Sequence, residues 1–266
     1  MRTMLSNVLM SFVSLIMSAG CSVKENRDLC PCRLVLDFSE VDTAVIWSAD
    51  LDVNASDGFV FNDHIDGPLR NEYMFDVPRE LLRINVWYGR DGYETETGLR
   101  IPYGRQAPEV YFHSSEVDAR CELQKELIRM RKNHCKVTIR ITGNNTDPIK
   151  IALLGNVDGY MNDGRPSQGP FRAEERMNGD GICSIVLPRQ LDDSLVMELD
   201  NDTGILTRFA LGEYIAESGY DWNAPDLEDI VIDLDFAVTH LTLVIQGWEK
   251  EYKYDFPSGQ SRFASR

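Results

Sequence analysis

Basic residues are scarce in this sequence relative to acidic ones. The chain of 266 residues holds 27 Lys and Arg against 43 Asp and Glu, which gives a formal net charge of −16. A surface of that sign repels nucleic acid phosphates and anionic membrane surfaces. No basic stretch interleaved with aromatic residues offsets it. We therefore exclude nucleic acid as a partner.

Long apolar runs are also absent after the N-terminal segment. No later segment approaches the roughly 20 apolar residues that a membrane-spanning helix needs. The N-terminus itself places Arg2 before a mostly apolar segment, residues 5–17, that is too short to span a bilayer. Small residues at 18–20 then lead into Cys21. This pattern predicts a signal peptide over residues 1–20, and hence a secreted or envelope protein.

The sequence lacks the motifs of catalytic and metal sites. It has no His-Glu-x-x-His pair, no Gly-x-Ser-x-Gly elbow and no phosphate-binding loop. Residues 158–164 (DGYMNDG) miss the spacing of a calcium loop and its bidentate Glu, which favours a turn. A hydrolase would need carboxylates or histidines that converge in one cleft, and the spacing of these residues gives no sign of such a cleft. The four histidines are scattered along the chain, at His64, His113, His134 and His240. We expect a protein that is not an enzyme, with no catalytic residue, no cofactor and no metal.

What the sequence does have is a cysteine at the predicted cleavage point. Ala19-Gly20-Cys21 resembles the lipoprotein signal of bacterial envelope proteins, although Ser18 stands where an aliphatic residue is usual. The resemblance implies cleavage between Gly20 and Cys21, a diacylglycerol on the Cys21 thiol and a further acyl chain on the freed amine. Two or three chains anchor a protein stably, whereas one holds only marginally. The alternative is a plain secreted protein that happens to start near a cysteine.

The residues that follow Cys21 predict a tether. Residues 22–28 are polar and of mixed charge, which is typical of a solvated linker, and we assign residues 21–32 to a lipidated tether. The same stretch is similar to the short Lys-then-acidic tag that sends lipoproteins to the outer face of the outer membrane in one phylum of Gram-negative anaerobes. That similarity implies a surface-exposed protein.

Five cysteines remain besides Cys21, and an odd number leaves at least one free or paired with another molecule. They are Cys30, Cys32, Cys121, Cys135 and Cys183. Cys30-Pro31-Cys32 has too short a spacing for an unstrained disulfide or a usual zinc site. Buried free thiols or one long-range bridge are the two interpretations that remain open.

The body of the chain alternates apolar and polar residues in short runs separated by turn residues. This pattern predicts an all-β fold of two β-sandwich domains, over residues 33–120 and 121–266. In the first half we expect strands at 33–38, 44–47, 58–62, 72–77, 81–88, 99–103 and 109–113. In the second half we expect them at 136–142, 149–154, 181–187, 195–199, 205–210, 230–235 and 239–246.

Three segments between these strands carry other expectations. Residues 121–132 are rich in helix formers and fit either a helix or the extension of a hairpin. Residues 156–177 are rich in Gly, Asn, Asp and Pro, which predicts a long functional or mobile loop. Residues 211–215 favour a short helical turn, and the polar residues 258–266 a frayed end.

The tryptophans allow two interpretations. Exposed and clustered indole rings would form a platform for sugars, whereas residues in strands favour packing in the core. Three of the four lie in or beside predicted strands, so core packing is preferred for the set Trp47, Trp87, Trp222 and Trp248.

A series of motifs in the second half carries a family resemblance. In chain order they are 159–166 (GYMNDGRP), 169–171 (GPF), 186–189 (VLPR), 211–215 (LGEYI), 219–230 (GYDWNAPDLEDI) and 246–248 (QGW). Together with the Cys-Pro-Cys-Arg-Leu opening at residues 30–34, they resemble the FimB-like fimbrial anchor family, the minor-fimbrium anchor lipoproteins of Gram-negative anaerobes. The resemblance covers most of the mature chain and is densest from residue 136 to residue 248.

The resemblance implies two β-sandwich domains of transthyretin-like topology, tethered through Cys21 to the outer membrane at the base of a fimbrium. The implied partners are pilin or other fimbrial subunits, joined by β-strand addition at a sheet edge. The competing hypothesis is a glycan-binding surface lipoprotein of a polysaccharide-uptake system that uses the tryptophans as platforms. Exposure and clustering of the tryptophans discriminate between the two.

Overall fold

The computed structural model describes residues 30–66, 71–90, 92–142, 149–200, 205–235, 240–245 and 248–253. Within these ranges the chain forms strands β1–β19 and a short helix, α1. The prediction of an all-β fold built of sandwiches is confirmed. Among the described residues, no helix is long and apolar enough to cross a membrane.

The first sandwich packs a three-stranded sheet against a five-stranded one. The smaller sheet joins β1 (Cys32–Asp37), β4 (Glu72–Val77) and β9 (Leu123–Leu127) in the order β4-β1-β9. The larger sheet joins β2 (Ala49–Ala55), β3 (Val60–Ile65), β5 (Leu81–Tyr88), β8 (Tyr111–Asp118) and β10 (Arg131–Lys132) in the order β10-β8-β5-β2-β3. Alternate residues of each strand point inward. Leu34 and Leu36 of β1 thereby meet Leu82, Ile84 and Val86 of β5 in one core.

The second sandwich has a sheet in the order β14-β11-β17-β18-β19. Its strands are β11 (His134–Thr142), β14 (Ile182–Pro188), β17 (Ile230–Asp235), β18 (His240–Ile245) and β19 (Trp248–Lys253). The facing sheet is built around β12 (Lys150–Met161), which pairs on one side with β13 (Pro166–Arg176). On its other side β12 pairs with β15 (Val196–Asp200) and with β7 (Gly98–Arg100). Strand β15 pairs in turn with β16 (Ile205–Phe209), and β7 pairs with β6 (Glu94–Thr95).

Strands that precede residue 120 pair with strands that follow it, in both sandwiches. Strand β9 follows that residue yet pairs with β1, whereas β7 precedes it and pairs with β12. Two glycines permit the close approach of β7 and β12, because a Cβ on Gly98 would lie 2.1 Å from the Tyr160 carbonyl oxygen and one on Gly159 would lie 2.0 Å from that of Leu99. The two-domain division at residue 120 itself stays a prediction.

Trp87 and Phe112 join the first sandwich to the second. They stand opposite each other on β5 and β8, with ring centroids 4.1 Å apart. Because Leu82, Ile84 and Val86 face the first core, Trp87 points to the other side of the sheet and belongs to the core of the second sandwich. Gly164 packs on this pair so tightly that a Cβ there would lie 1.9 Å from the Phe112 ring.

The predicted loop over residues 156–177 is wrong. Those residues complete β12, turn at 162–165 and return as β13, so they form a long antiparallel hairpin. The register shifts at Gly155, Val157 and Gly159 mark bulges, which explains why polar and small residues concentrate there without ending the strand.

The described residues test three further expectations. Residues 121–132 form β9 and β10 and no helix, because β9 finds a partner in β1 that outweighs its helix propensity. Residues 44–47 lie in a turn and an irregular segment, so the strand predicted there is wrong, and the strand β2 that follows was missed. The short helix near 211–215 is confirmed as α1 (Leu211–Glu217), which buries Leu211 and Ile215. Residues 258–266 lie outside the described ranges.

Glu198 is a buried carboxylate held by two arginines. It lies on β15, is 2% exposed and accepts hydrogen bonds from Arg172 Nη1 at 2.8 Å and from Arg208 Nε at 2.6 Å. Burial alone would raise the pKa of Glu198, but the two guanidinium groups outweigh it and hold the pKa below its ordinary value of 4.5. The charge pair therefore stabilises the fold above about pH 4.5 and loses that contribution as the pH falls through the lowered folded-state pKa.

We expect Glu198→Gln to lower the free energy of unfolding by about 1–3 kcal/mol at pH 7, because two charge-assisted hydrogen bonds become neutral ones. The difference from the unchanged protein should shrink below about pH 4, where the carboxyl of the unchanged protein also becomes protonated. Urea unfolding followed by circular dichroism at both pH values measures it. Glu174→Gln, at a more exposed partner of Arg172, is the control and should change stability by less than about 1 kcal/mol. A loss for Glu198→Gln that is equal at both pH values would contradict this account.

Candidate functional site

The predicted lipid site, Cys21, and the cleavage position after Gly20 lie outside the described residues, which begin at Cys30. Cys30 and Pro31 are exposed, and Cys32 is completely buried. The chain therefore passes from solvent into the core within two residues. Even fully extended, residues 21–32 span at most about 40 Å, so a lipid on Cys21 would hold the first sandwich close to the membrane surface.

Strand β1 is held on both sides where the chain enters the fold. It pairs antiparallel with β4 from Cys32 opposite Val77 to Asp37 opposite Glu72, and parallel with β9 along its other edge. Its inward side chains are fully buried. The first strand after the predicted tether is thus a central strand, which gives the fold a firm attachment for that tether.

Ion pairs across the outer face of the same sheet reinforce this attachment. Arg33 of β1 contacts Asp76 of β4 at 2.6 Å, and Lys125 of β9 lies 2.9 Å from Asp37 and 3.0 Å from Glu72. Hydrogen bonds from Lys125 and Ser39 lower the pKa of Asp37 to about 2. Sequence reasoning missed these pairs because their partners are far apart in the chain.

Sheet edges are the surfaces that strand addition would use, and one of them is covered. The segment 101–107 crosses the second sandwich between β13 and β14, where Gly104 N donates to the Arg172 carbonyl at 2.8 Å and Ala107 N to that of Val186 at 3.0 Å. The side chain of Gln106 accepts from Val186 N at 3.0 Å. A donated strand cannot bind there without displacing this segment.

The edges of the first sandwich carry exposed apolar side chains. Val60 on β3 is 60% exposed, Met74 on β4 is 56% exposed and Leu123 on β9 is 62% exposed. Each of these strands ends its sheet in the described part of the chain. Exposed apolar residues on terminal strands favour pairing with another chain. Sequence reasoning missed these positions because the strand order was unknown.

The described histidines are separated and each has local partners. His64 lies 2.5 Å from Asp50, His113 accepts from Arg129 N at 3.1 Å, and His134 lies 3.1 Å from the Val110 carbonyl. Burial lowers the pKa of His113 and of His134, so both stay neutral at neutral pH. The side chain of His240 is not described. Among the described residues no three His, Cys, Asp or Glu side chains are grouped to hold a metal ion.

The tryptophans do not form one platform in the described part of the chain. Trp87 is 1% exposed, and Trp222 is partly buried against the second core. Trp47 is 59% exposed and packs edge-to-face on Tyr88 with ring centroids 5.0 Å apart. The side chain of Trp248 is not described. Among the described tryptophan side chains, core packing is confirmed for Trp87, and Trp47 is the exposed one on which a sugar platform could rest.

Three of the motifs that carry the family resemblance contact one another. Arg189, of the VLPR motif, donates from Nε to Asn133 Oδ1 at 2.9 Å and from Nη1 to the Ala224 carbonyl at 2.8 Å and to that of Trp222. Those two carbonyls belong to the GYDWNAPDLEDI motif. Tyr160, of the GYMNDGRP motif, accepts from Arg189 N at 2.8 Å. These motifs hold β12, β14 and the segment before β17 together, so their role in the structure is to stabilise the fold.

Comparison with known proteins shows a likeness in fold. No known family profile matches the sequence, and no curated protein matches it. A candidate polysaccharide-binding protein from Bacteroides thetaiotaomicron matches with a TM-score of 0.64 at 14% identity, covering 83% of this chain and 98% of that chain. A candidate adhesin from Bacteroides ovatus matches with a TM-score of 0.60 at 13% identity, covering 87% and 97%. The fimbrial anchor protein Mfa2 from Porphyromonas gingivalis matches with a TM-score of 0.57 at 14% identity, covering 83% and 99%. At these identities the similarity shows that the chain shares its fold with these three proteins.

Proposed function

We propose that the protein is an outer-membrane lipoprotein, anchored by acyl chains on Cys21, that serves as the anchor or an accessory subunit of a fimbrium. The observation that carries the proposal is the short distance in sequence between Cys21 and the buried, doubly paired strand β1. A lipid at one end of so short a tether and a central strand at the other suit a protein that must hold a load at the membrane.

The fold supports the same role. The chain covers nearly all of a fimbrial anchor protein and of a candidate adhesin, so its architecture is one that surface attachment proteins use. The exposed apolar residues on β3, β4 and β9 support pilin binding by strand addition, because an added strand would bond the open backbone edge and cover these side chains. The covered β13–β14 edge of the second sandwich is less suited to that reaction.

A photo-crosslinking residue placed at Val60, Met74 or Leu123 tests this proposal in cells. We expect at least one of these positions to crosslink to a pilin-like subunit in outer membranes, since each lies on a terminal strand of the first sandwich. Tyr103, which is 64% exposed on the segment that covers the second sandwich, is the matched control and should give no pilin crosslink. Mass spectrometry identifies the partner.

Two results would count against the proposal. Crosslinks to pilin from Tyr103 alone would place the contact on the second sandwich and remove strand addition at the first. Repeated crosslinking to a glycan transporter, with no fimbrial subunit recovered, would favour the glycan-binding alternative, for which Trp47 is an exposed tryptophan in the described part of the chain.

A further inference from the structure

Two cysteines that are distant in sequence lie together where the chain enters the fold. Cys32 is the first residue of β1, and Cys121 stands two residues before β9. The parallel pairing of β1 with β9 places Arg33 opposite Leu123, and Arg33 N donates to the Glu122 carbonyl at 2.9 Å. Cys32 is therefore level with Glu122, next to Cys121.

The side chains of this pair converge on one core. Cys32 is completely buried among the residues of the first core, and Cys121 is half-buried against the same core. The Cys121 thiol also lies 3.2 Å from the Leu123 carbonyl, which orients it along β9. Burial, followed by the charge and hydrogen bond of the Cys121 thiol, raises the pKa of Cys32 to about 11. The register and the shared core thus place the two thiols beside each other.

The other described cysteines are placed differently. Cys30 is exposed before β1 begins. Cys135 and Cys183 lie on the adjacent strands β11 and β14, but Cys135 is opposite Leu187 and Cys183 is opposite Ile139. A displacement of four residues along paired strands is about 13 Å, which is too far for a disulfide. Burial raises the pKa of both to about 12, so they are inert thiols.

We propose that Cys32 and Cys121 form a disulfide bond in the exported protein. The proposal rests on the export that the proposed function requires, since disulfides persist in the cell envelope and not in the cytoplasm. The oxidant is a protein disulfide of the thiol oxidase class. The half-buried Cys121 attacks it as a thiolate and forms a mixed disulfide, from which the Cys32 thiolate displaces the oxidant's sulfur. The two cysteines lose two protons and two electrons, and the oxidant leaves as a dithiol.

The timing and the effect of the bond follow from burial. Because Cys32 is buried in the finished fold and its pKa is raised, the bond forms most readily while β1 is docking against β9. Cys32 is also the first buried residue in the described part of the chain. A pull on the tether would therefore reach the disulfide before it reaches the hydrogen bonds of β1, and the bond would pass the load to β9.

Peptide mapping tests the bond directly. Trypsin cleaves after Arg27, Arg33, Arg120 and Lys125, so the bond would link peptide 28–33 to peptide 121–125. Because peptide 28–33 also contains Cys30, the mapping uses Cys30→Ala protein extracted from membranes without reductant and alkylated with iodoacetamide. We expect the linked pair, two hydrogens lighter than the sum of the free peptides. Alkylation of both Cys32 and Cys121 in this sample would overturn the proposal.

Thermal unfolding gives a second readout. A bond that closes a loop of about 90 residues should raise the Tm of the first sandwich by about 8 °C or more, and Cys121→Ala should lose that increment. Reductant should lower the Tm of the unchanged protein to the same value and leave Cys121→Ala unaffected. Cys30→Ala is the matched control and should keep the higher Tm. A Tm that responds to neither reductant nor Cys121→Ala would overturn the proposal.

The same samples separate this proposal from the proposed function. Membrane-bound protein with both thiols alkylated would contradict the disulfide and leave the lipid anchor standing. Soluble protein with Cys32 linked to Cys121 would support the disulfide and contradict the lipid anchor. A bond from Cys30 to Cys121 in the unchanged protein, with Cys32 alkylated, would also overturn the pairing proposed.

Discussion

Replacing Cys21 by Ala is expected to move the protein from the membrane fraction to the soluble fraction. Each buried methylene of an acyl chain contributes about 0.8 kcal/mol to membrane binding, so two or three chains anchor a protein through many collisions with solvent. The described residues include no helix that could replace that anchor, and the acidic chain gains nothing from anionic lipids. We expect at least about a tenfold loss of the membrane-bound fraction, measured by ultracentrifugation and immunoblotting.

The control is Cys30, an exposed cysteine near Cys21 in the sequence. Cys30→Ala removes a thiol nine positions beyond Cys21 and should leave fractionation unchanged, because the predicted lipid site is the cysteine directly after the cleavage point. Metabolic labelling with a fatty acid should mark the unchanged protein and Cys30→Ala, and not Cys21→Ala. If Cys21→Ala stays in the membrane fraction and keeps its label, the lipid site is elsewhere and the tether assignment falls with it.

Much of the strand content could be predicted from the sequence because alternation depends on neighbouring residues. The alternation of Leu82, Ile84 and Val86 predicts β5 directly, and the strand occurs where it is expected. Strand β2 alternates equally well, as Leu51 and Val53 are buried between polar residues. It was missed because its outward residues are Asp and Asn, which also mark turns. Those polar side chains have partners in the fold, since Arg90 contacts Asp50 at 2.8 Å and Asp52 at 2.9 Å.

The hairpin of β12 and β13 shows a different limit. Gly155, Asn156 and Gly159 are of types typical of loops, yet they lie at the bulges of β12, where Gly159 approaches the Leu99 backbone closely. Only the partner strand reveals that a glycine serves close approach and not a turn. The composition of the segment therefore predicts a loop, and the pairing that makes it a hairpin cannot be inferred from composition.

The candidate site divides in the same way. Cys21 is defined by local sequence, so it can be predicted, although it lies outside the described residues. The placement of Cys32 beside Cys121 depends on a parallel pairing of strands far apart in the chain. Parallel partners carry no turn signal between them, because the connection can have any length and any composition. Five cysteines therefore left the pairing open until the strand order was known.

Trp87→Ala is expected to lower the free energy of unfolding by about 3–5 kcal/mol, which is the usual cost of removing a large buried aromatic side chain. Trp87 is 1% exposed, and its ring packs against that of Phe112 with an interplanar angle of 47°. The loss is a large part of the 5–15 kcal/mol by which a typical domain is stable. The substitution should destabilise both sandwiches, because Trp87 belongs to a strand of the first and to the core of the second.

Urea unfolding followed by circular dichroism measures the stability, and limited proteolysis measures the contact between the sandwiches. We expect Trp87→Ala to expose the segment 101–107 to cleavage, since Leu99, Ile101 and Ala107 share a core with Trp87. Trp47→Ala removes the same side chain from a site that is 59% exposed and should cost less than about 1 kcal/mol. If the two variants lose equal stability, Trp87 does not join the sandwiches, and the two cores are independent.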